Sequence, residues 1–240
     1  MKTNSNIYQV VYAAVMVLVV GTVLAFIYMA LKPQQDENIA NDKRKQILAA
    51  VGINATDADV KQQFEQFIVG ERLVDTEGNV TDSAAGCAFD VEMKSNVKLP
   101  DVERKLPVYV CKLADGSAKY ILPVYGAGLW GPIWGYVSVN SDGSTIFGTN
   151  FSHESETPGL GARIEEESFR ATFQNKQLYK DGEYKGVEVV KKGQKPTTDG
   201  ADYVDAISGA TITSRGVSDM LQNCLGYYQG FFKRLSSPAN

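Results

Sequence analysis

A short run of small and hydroxyl-bearing residues near the carboxyl end combines side chains suited to phosphate chemistry. Asp205 precedes, at a spacing of three, the run Ser208, Gly209, Ala210 and Thr211. A helix is predicted to begin immediately afterwards, and the free N–H groups and positive dipole end of a helix start attract anions. Gly209 and Ala210 leave space for a bulky phosphate ester. The run therefore indicates an anion site to which Thr211 and Thr213 contribute hydroxyls, with a plain helix cap as the alternative, because Ser and Thr are common caps.

A second segment, residues 126–131 with the sequence G-A-G-L-W-G, matches the pattern G-x-G-x-x-G. A dinucleotide-binding fold needs this pattern to open a helix after a parallel strand. Here Pro132 follows at once, and the next residues are typical of a strand. The segment therefore predicts a tight turn between strands that presents Leu129, Trp130 and Ile133 as a flat apolar surface. The alternative is an ordinary turn with its core residues.

The elements that must position these residues follow from hydrophobic periodicity and turn signals. Helical spacing predicts helices over residues 36–51, 57–71, 165–173 and 213–235. Strand patterns lie at residues 106–113, 119–125, 134–140, 144–151 and 187–190. Asp-Gly pairs at 115–116 and 142–143 predict two hairpin turns. The order predicts a single α+β domain with antiparallel strands and flanking helices, rather than β-α-β units.

The amino-terminal segment is long and apolar enough to span a membrane. Residues 7–31 contain no charged side chain, and a bilayer-spanning helix needs about 20 apolar residues. A cleaved signal peptide has a shorter apolar region of about 7–15 residues and a small-residue cleavage site, which is missing here. We therefore expect an uncleaved anchor in the lipid bilayer over residues 1–32 and a folded domain over residues 33–240.

Composition excludes several other classes of protein. The chain has 240 residues and a formal charge of −4, and such a mildly acidic chain argues against nucleic acid as a partner. One His cannot build a multi-His metal cage, and the three Cys lie far apart without a C-x-x-C pair. The sequence therefore predicts neither a metal site nor a disulfide framework.

The charges around the apolar segment do not decide its orientation. Lys32 and the basic residues 43–45 follow the segment, which favours a cytoplasmic domain on the positive-inside rule. Acidic residues are interleaved with them, at positions 36, 37 and 42. Long domains also translocate largely regardless of charge.

Three sequence segments carry a resemblance to one family. Residues 205–211 match every fixed position of the flavin-transferase acceptor motif D-x-x-[ST]-G-A-[ST]. Together with G-L-W-G-P at 128–132 and H-E-S-E-T-P-G-L-G at 153–161, they make the whole chain resemble the C subunit of the sodium-translocating NADH:quinone oxidoreductase. The resemblance implies an FMN-binding domain in which Thr211 carries FMN through a phosphoester bond. It also implies that a flavin transferase recognises Asp205 and Ser208.

The same resemblance suggests the surroundings of the flavin. Apolar side chains are expected over the ring and hydrogen-bonding groups at its polar edge. The candidates, besides the acceptor run with Gly209 and Ala210, are Leu129, Trp130, Thr157, Gly159, Leu160 and Gly161. His153 and Glu156 are candidates either for proton exchange or for ordering the loop. No catalytic residue is expected in the chain itself.

The resemblance further implies a role within a larger complex. Electrons would arrive from an iron–sulfur centre in the membrane subunits and leave to a second FMN-bearing subunit, then to riboflavin and quinone. The domain would lie on the outer face of the cytoplasmic membrane. In that oxidising compartment Cys87 and Cys111 would be able to pair, although no spacing supports a disulfide and buried thiols are the preferred interpretation.

Three alternatives are open on the sequence. The G subunit of an Rnf-type ferredoxin:NAD oxidoreductase shares the anchor and the acceptor motif. A membrane-anchored scaffold without redox function would use the S-G-A-T run only as a helix cap. A free-standing flavin reductase would oxidise NADH by itself, which we do not expect because no nicotinamide site is visible.

Overall fold

The computed structural model describes residues 6–236, and its first element is a long apolar helix. Helix α1, Asn6–Ala49, runs for 44 residues and includes Pro33. An 18-residue window within it has a mean hydropathy of 2.7, so the helix is long and apolar enough to cross a membrane. The chain divides within α1 into a first unit that ends at Lys43 and a second that begins at Arg44. The predicted helix at 36–51 is therefore part of the same helix as the apolar segment.

Ten strands and five further helices make up the described part of the second unit. The strands are β1 Ile68–Val74, β2 Val80–Asp82, β3 Leu106–Lys112, β4 Ala118–Ala127, β5 Pro132–Asn140, β6 Ile146–His153, β7 Tyr179–Lys180, β8 Glu183–Tyr184, β9 Val187–Val190 and β10 Asp202–Asp205. The helices are α2 Val60–Phe67, α3 Met93–Asn96, α4 Glu167–Arg170, α5 Thr211–Leu225 and α6 Gln229–Ser236. Short 3₁₀ turns occupy Gly161–Glu165, Ala171–Phe173 and Gly226–Tyr228.

Six strands form one antiparallel sheet in the order β2-β1-β3-β4-β5-β6. The two predicted Asp-Gly turns join β3 to β4 and β5 to β6, and Gly116 and Gly143 adopt φ of +82° and +66° there. Glycine adopts such angles more readily than residues that carry a Cβ. The G-A-G-L-W-G segment closes the β4–β5 hairpin, since the Gly128 N–H donates to the Gly131 carbonyl at 2.8 Å. The α+β fold with antiparallel strands is thus confirmed.

Successive strand residues point to opposite faces of the sheet and build two cores. Val108, Leu122 and Val137 face a core shared with α5 and α6, while Tyr109 and Ile121 face a second core. The second core is completed by the end of α1 and by α2. The sheet is therefore covered on both faces, which fixes α5 against β4 and β5.

Several predicted elements were wrong in extent or type. The helix predicted over 57–71 ends at Phe67, because Ile68 begins β1 and pairs with Cys111 of β3. The final helix begins at Thr211 and is interrupted after Leu225 by a 3₁₀ turn. Strands β9 and β10 pair in parallel, which the antiparallel prediction missed. Local periodicity can predict a strand, but it does not show which other strand it pairs with or in which direction.

Candidate functional site

The acceptor run forms the turn between β10 and α5. Asp205 ends β10, Thr211 is the first residue of α5, and Gly209 adopts a φ of +80° between them. The residue before the helix is Ala210, which offers no side-chain cap. Instead, the Ser214 hydroxyl on α5 accepts the N–H of Ile207 at 3.1 Å, and this hydrogen bond connects the turn to the first turn of the helix. The plain helix cap expected as an alternative is therefore wrong.

Two threonines at the start of α5 have opposite environments. Thr211 is exposed, whereas Thr213 is 1% exposed. The Thr213 hydroxyl donates to Glu156 Oε2 at 2.6 Å. Of these two hydroxyls, only that of Thr211 is thus accessible to a modifying enzyme or a ligand.

Glu156 connects three segments that contain the sequence motifs: the turn at 126–131, its own loop at 153–161 and the start of α5. Its side chain is 4% exposed, and its Oε1 accepts the N–H of Trp130 at 2.8 Å while Oε2 accepts from Thr213. A Cβ at Gly128 would collide with Oε1, and one at Gly161 would collide with Oε2. Both glycines are therefore required by the close approach of the buried carboxylate.

Two of the three apolar side chains predicted for the surface of the β4–β5 turn are exposed. Leu129 and Trp130 are 47% and 65% exposed, and the Ser155 hydroxyl donates to the Trp130 carbonyl at 2.8 Å. Ile133, by contrast, is completely buried, so its predicted place on this surface is wrong. It lies on β5, where the alternation of the strand directs its side chain into the core.

The T-P-G-L-G loop lies against the acceptor turn. The Thr157 carbonyl accepts the N–H groups of Leu160 and Ala162 at 3.1 and 3.2 Å, and Gly159 has a φ of +76°. Leu160 is 43% exposed, and its Cδ2 lies 3.0 Å from where a Cβ would stand at Gly209. Leu160 therefore approaches the turn two residues before Thr211. Thr157 itself is exposed.

His153 also takes part in ordering this loop. Its Nδ1 accepts the N–H of Glu156 at 3.2 Å, and its Nε2 lies 3.9 Å from Glu165 Oε1. The carboxylate of Glu156 has both oxygens in hydrogen bonds within the fold. Both residues therefore hold loop segments in place in this structure.

The three cysteines are free thiols. Burial raises the pKa of Cys111 to about 11. Burial also raises the pKa of Cys87 and of Cys224, whose Sγ lies 3.4 Å from the Tyr125 carbonyl. All three are consequently protonated near neutral pH and are poor nucleophiles.

These residues fit a flavin nucleotide attached at Thr211. An exposed hydroxyl supplies the attachment point, and Gly209, which has no side chain, is exposed beside it. Leu129, Trp130 and Leu160 supply exposed apolar side chains, which a flat ring system needs. Asp205 and Ser208 are both exposed on the same turn. Sequence reasoning missed that Glu156 links this turn to the two loops, since the contact joins residues 57 positions apart.

The family of FMN-binding domains matches residues 128–226, a range that contains both loops and the acceptor turn. The match begins at the Gly128 turn and ends just beyond α5. The fold and the site together define a protein with an FMN-binding domain that follows a long apolar helix.

Comparison with whole chains is more specific. The C subunit of the Na(+)-translocating NADH-quinone reductase from Vibrio vulnificus YJ016 is 33% identical over 245 aligned positions, which cover 94% of this chain and 93% of that protein. The crystal structure of the equivalent protein from Parabacteroides distasonis gives a TM-score of 0.78 at 42% identity, over 87% of this chain and 98% of that chain. Shewanella oneidensis NqrC gives 0.65 at 28% identity, over 82% and 97%. The chain belongs to the family of C subunits of the Na(+)-translocating NADH-quinone reductase, as its motifs predicted.

Proposed function

We propose that the chain is the electron-carrying C subunit of a sodium-pumping NADH:quinone oxidoreductase and carries FMN esterified to Thr211. The observation that supports this most directly is the contrast between the two threonines of α5. Thr211 is exposed at the first helical residue, while Thr213 is buried and bonded to Glu156. When bound, the flavin would supply reversible electron transfer.

Attachment would use the Thr211 hydroxyl as the acceptor in a group transfer. The hydroxyl oxygen would form an ester bond to the flavin-side phosphorus of FAD, and the bond between the two phosphates would break. Adenosine monophosphate would leave, and the hydroxyl proton would pass to a separate flavin transferase. Asp205 and Ser208 are exposed beside Thr211, where that enzyme would recognise them.

The loops around Glu156 would hold the flavin ring. Leu129, Trp130 and Leu160 would cover its faces, since each is more than 40% exposed. Thr157 and the main chain at Gly159–Gly161 would bond its polar edge. The hydrogen bonds of Glu156 keep these loops next to the acceptor turn.

Helix α1 would anchor the chain in the bilayer, with the folded domain on the outer side of the cytoplasmic membrane. Iron–sulfur-bearing membrane subunits would deliver electrons and a second FMN-bearing subunit would accept them. Residues 7–31 carry no charged group, so this helix alone offers no path for sodium. The membrane partners would therefore carry the ion.

The test is coexpression of the full chain with a flavin transferase, followed by a denaturing gel and intact-mass measurement. We expect fluorescence and one added FMN on the wild type, and none on Thr211→Ala. Thr211 is exposed, so its replacement should leave the unfolding midpoint unchanged. Thr213→Ser keeps the hydroxyl that bonds Glu156 and serves as the matched control, which should be modified normally. Retained flavin on Thr211→Ala would contradict the proposed attachment.

A further inference from the structure

A cavity of about 620 Å³ opens along the face of α5 that carries Thr211. The helix contributes Thr211, Arg215, Ser218, Asp219 and Gln222. Their spacing places them on one face of the helix. The opposite wall comes from β9 and the loop after it, with Glu188, Lys191, Lys195, Thr197 and Thr198. The acceptor hydroxyl thus lies at the border of a cavity that is separate from the Glu156 loops.

Buried and part-buried hydrogen bonds hold the walls of this cavity together. The Val189 N–H donates to the Ser218 hydroxyl at 3.0 Å and fixes β9 to α5. Glu188 is 8% exposed, and its two carboxylate oxygens accept the N–H groups of Thr197 and Thr198, each at 2.7 Å. The loop that carries the lysines is therefore folded back by a defined internal contact.

The charges that line the cavity are mostly positive and free. Within residues 6–236, the charged side-chain groups of Lys191, Lys195 and Arg215 make no hydrogen bond and no ion pair. The charge of Glu188 is met by backbone donors rather than by these cations. Asp219 is the other acidic residue of the lining, and it lies two helical turns beyond Thr211. Among the lining cations, Arg215 lies one helical turn from the acceptor residue Thr211.

The lining suits phosphate rather than an aromatic ring. None of the residues that line the cavity is aromatic, and most are polar or charged. Its volume lies in the range of about 300–1,000 Å³ that is usual for small-molecule sites. Arg215 follows Thr211 by four residues, so its guanidinium reaches the same helix face as the acceptor hydroxyl. Guanidinium and ammonium groups are the usual protein contacts for phosphate.

We propose that this cavity binds the phosphate groups of the flavin nucleotide, with Arg215, Lys191 and Lys195 as the contacts. This inference rests on the proposed attachment at Thr211 and assigns the phosphate contacts of that same site. Two sources share the chemistry. One is the diphosphate of the incoming FAD, and the other is the phosphodiester that remains on Thr211 after transfer.

The first experiment measures the rate of flavin attachment to the purified full chain by a flavin transferase at low salt. Loss of a charged hydrogen bond to phosphate is expected to slow Arg215→Gln by about tenfold. The double variant Lys191→Gln, Lys195→Gln should also be slower, and Arg215→Lys should recover part of the rate. Lys192→Gln is the matched control, because Lys192 neighbours Lys191 but does not line the cavity.

The second experiment records the ³¹P spectrum of the loaded full chain. A shifted resonance in Arg215→Gln, with an unchanged one in Lys192→Gln, would show contact with the linked phosphodiester. A slower attachment that comes from a lower kcat or a higher KM for FAD, with an unshifted resonance, would instead identify the incoming diphosphate. Either result supports the cavity as a phosphate site.

Three outcomes would overturn the inference. The first is that Arg215→Gln and the double lysine variant match the wild type in both attachment rate and ³¹P spectrum. The second is that Lys192→Gln is slowed as much as they are. The third is a rise only in the KM for the acceptor chain with an unshifted resonance, which would assign Arg215 to docking of the transferase. A wild type with no flavin on Thr211 would refute the proposed function itself, so the two failures are distinguishable.

Discussion

At the scale of single residues, Glu156 connects three sequence motifs that are far apart in the chain. Its carboxylate receives a main-chain donor from the Trp130 turn and a hydroxyl donor from α5. The glycines at 128 and 161 leave space for it. A buried carboxylate with both oxygens bonded fixes geometry, because removing it leaves the buried Thr213 hydroxyl and the part-buried Trp130 N–H without this acceptor.

Glu156→Ala is expected to destabilise the fold and to impair flavin attachment. Loss of two hydrogen bonds to a charged group should lower the free energy of unfolding by about 2–4 kcal/mol. Urea unfolding of the full chain in detergent measures this. Glu156→Gln, whose amide oxygen accepts from Trp130 and whose amide nitrogen donates to Thr213, should retain most of the stability. Equal loss in both variants would show that charge, rather than hydrogen-bond geometry, is what the site needs.

Trp130→Ala should separate flavin contact from stability. Because the side chain is 65% exposed, its removal should change the free energy of unfolding by less than about 0.5 kcal/mol. Attachment at Thr211 should persist, while the absorption spectrum or redox potential of the bound flavin should change. Val102→Ala, at a site that is 94% exposed, is the control. An unchanged spectrum and potential would remove Trp130 from the ring's surroundings.

At the scale of elements, α5 has two functional faces. Gly216 approaches the β4–β5 turn so closely that a Cβ would collide with the carbonyl of Ala127, and Met220 packs into the core. Thr211 and Arg215 lie on the face that borders the cavity. The helix therefore fixes the acceptor against the sheet while leaving its hydroxyl accessible. The loop anchored by Glu188 forms the facing wall.

The Glu188 anchor should give this loop an acid-sensitive contribution to stability. Burial opposes the charge of Glu188, but the donors of Thr197 and Thr198 outweigh it and lower the pKa from 4.5. A group whose pKa is lower in the folded state than in the unfolded state stabilises the fold at pH values above its unfolded-state pKa. This stabilisation is lost as the pH falls through the folded-state pKa. The difference in unfolding free energy between wild type and Glu188→Gln should thus be largest near pH 7 and shrink below about pH 4.

Urea unfolding between pH 7 and pH 3 measures this difference. Glu65→Gln, on the exposed face of α2, is the control and should show little effect at any pH. A Glu188→Gln difference that stays constant across this range would contradict the assignment.

At the scale of the whole molecule, the side of the membrane on which the proposed anchor places the folded domain would decide which partners it meets. Helix α1 is apolar enough to span a bilayer, and the flanking charges do not fix its direction. The proposed role requires the folded domain on the outer side. A permanently attached flavin suits that location, because a free flavin would be lost there by diffusion.

The orientation is tested with Val102→Cys in a Cys87→Ser background. Val102 is 94% exposed, while Cys111 and Cys224 are buried and should react slowly. A membrane-impermeant maleimide should label the new thiol in intact spheroplasts as fully as after lysis. The parent Cys87→Ser chain controls for background labelling. Labelling that appears only after lysis would place the domain in the cytoplasm.

The sequence alone determined the features that depend on neighbouring residues. The membrane-length apolar run, the hairpins at 115–116 and 142–143 and the turn at 126–131 are set by local composition and backbone preferences, and each is present. The motif at 205–211 and the family resemblance could also be recognised from the sequence, because they consist of short runs of neighbouring residues. Tertiary structure decided which apolar residue of the turn is buried, where the second helix gives way to β1 and that β9 and β10 pair in parallel. It alone showed the Glu156 contacts and the cavity beside α5, because both depend on residues far apart in the chain that only packing brings together.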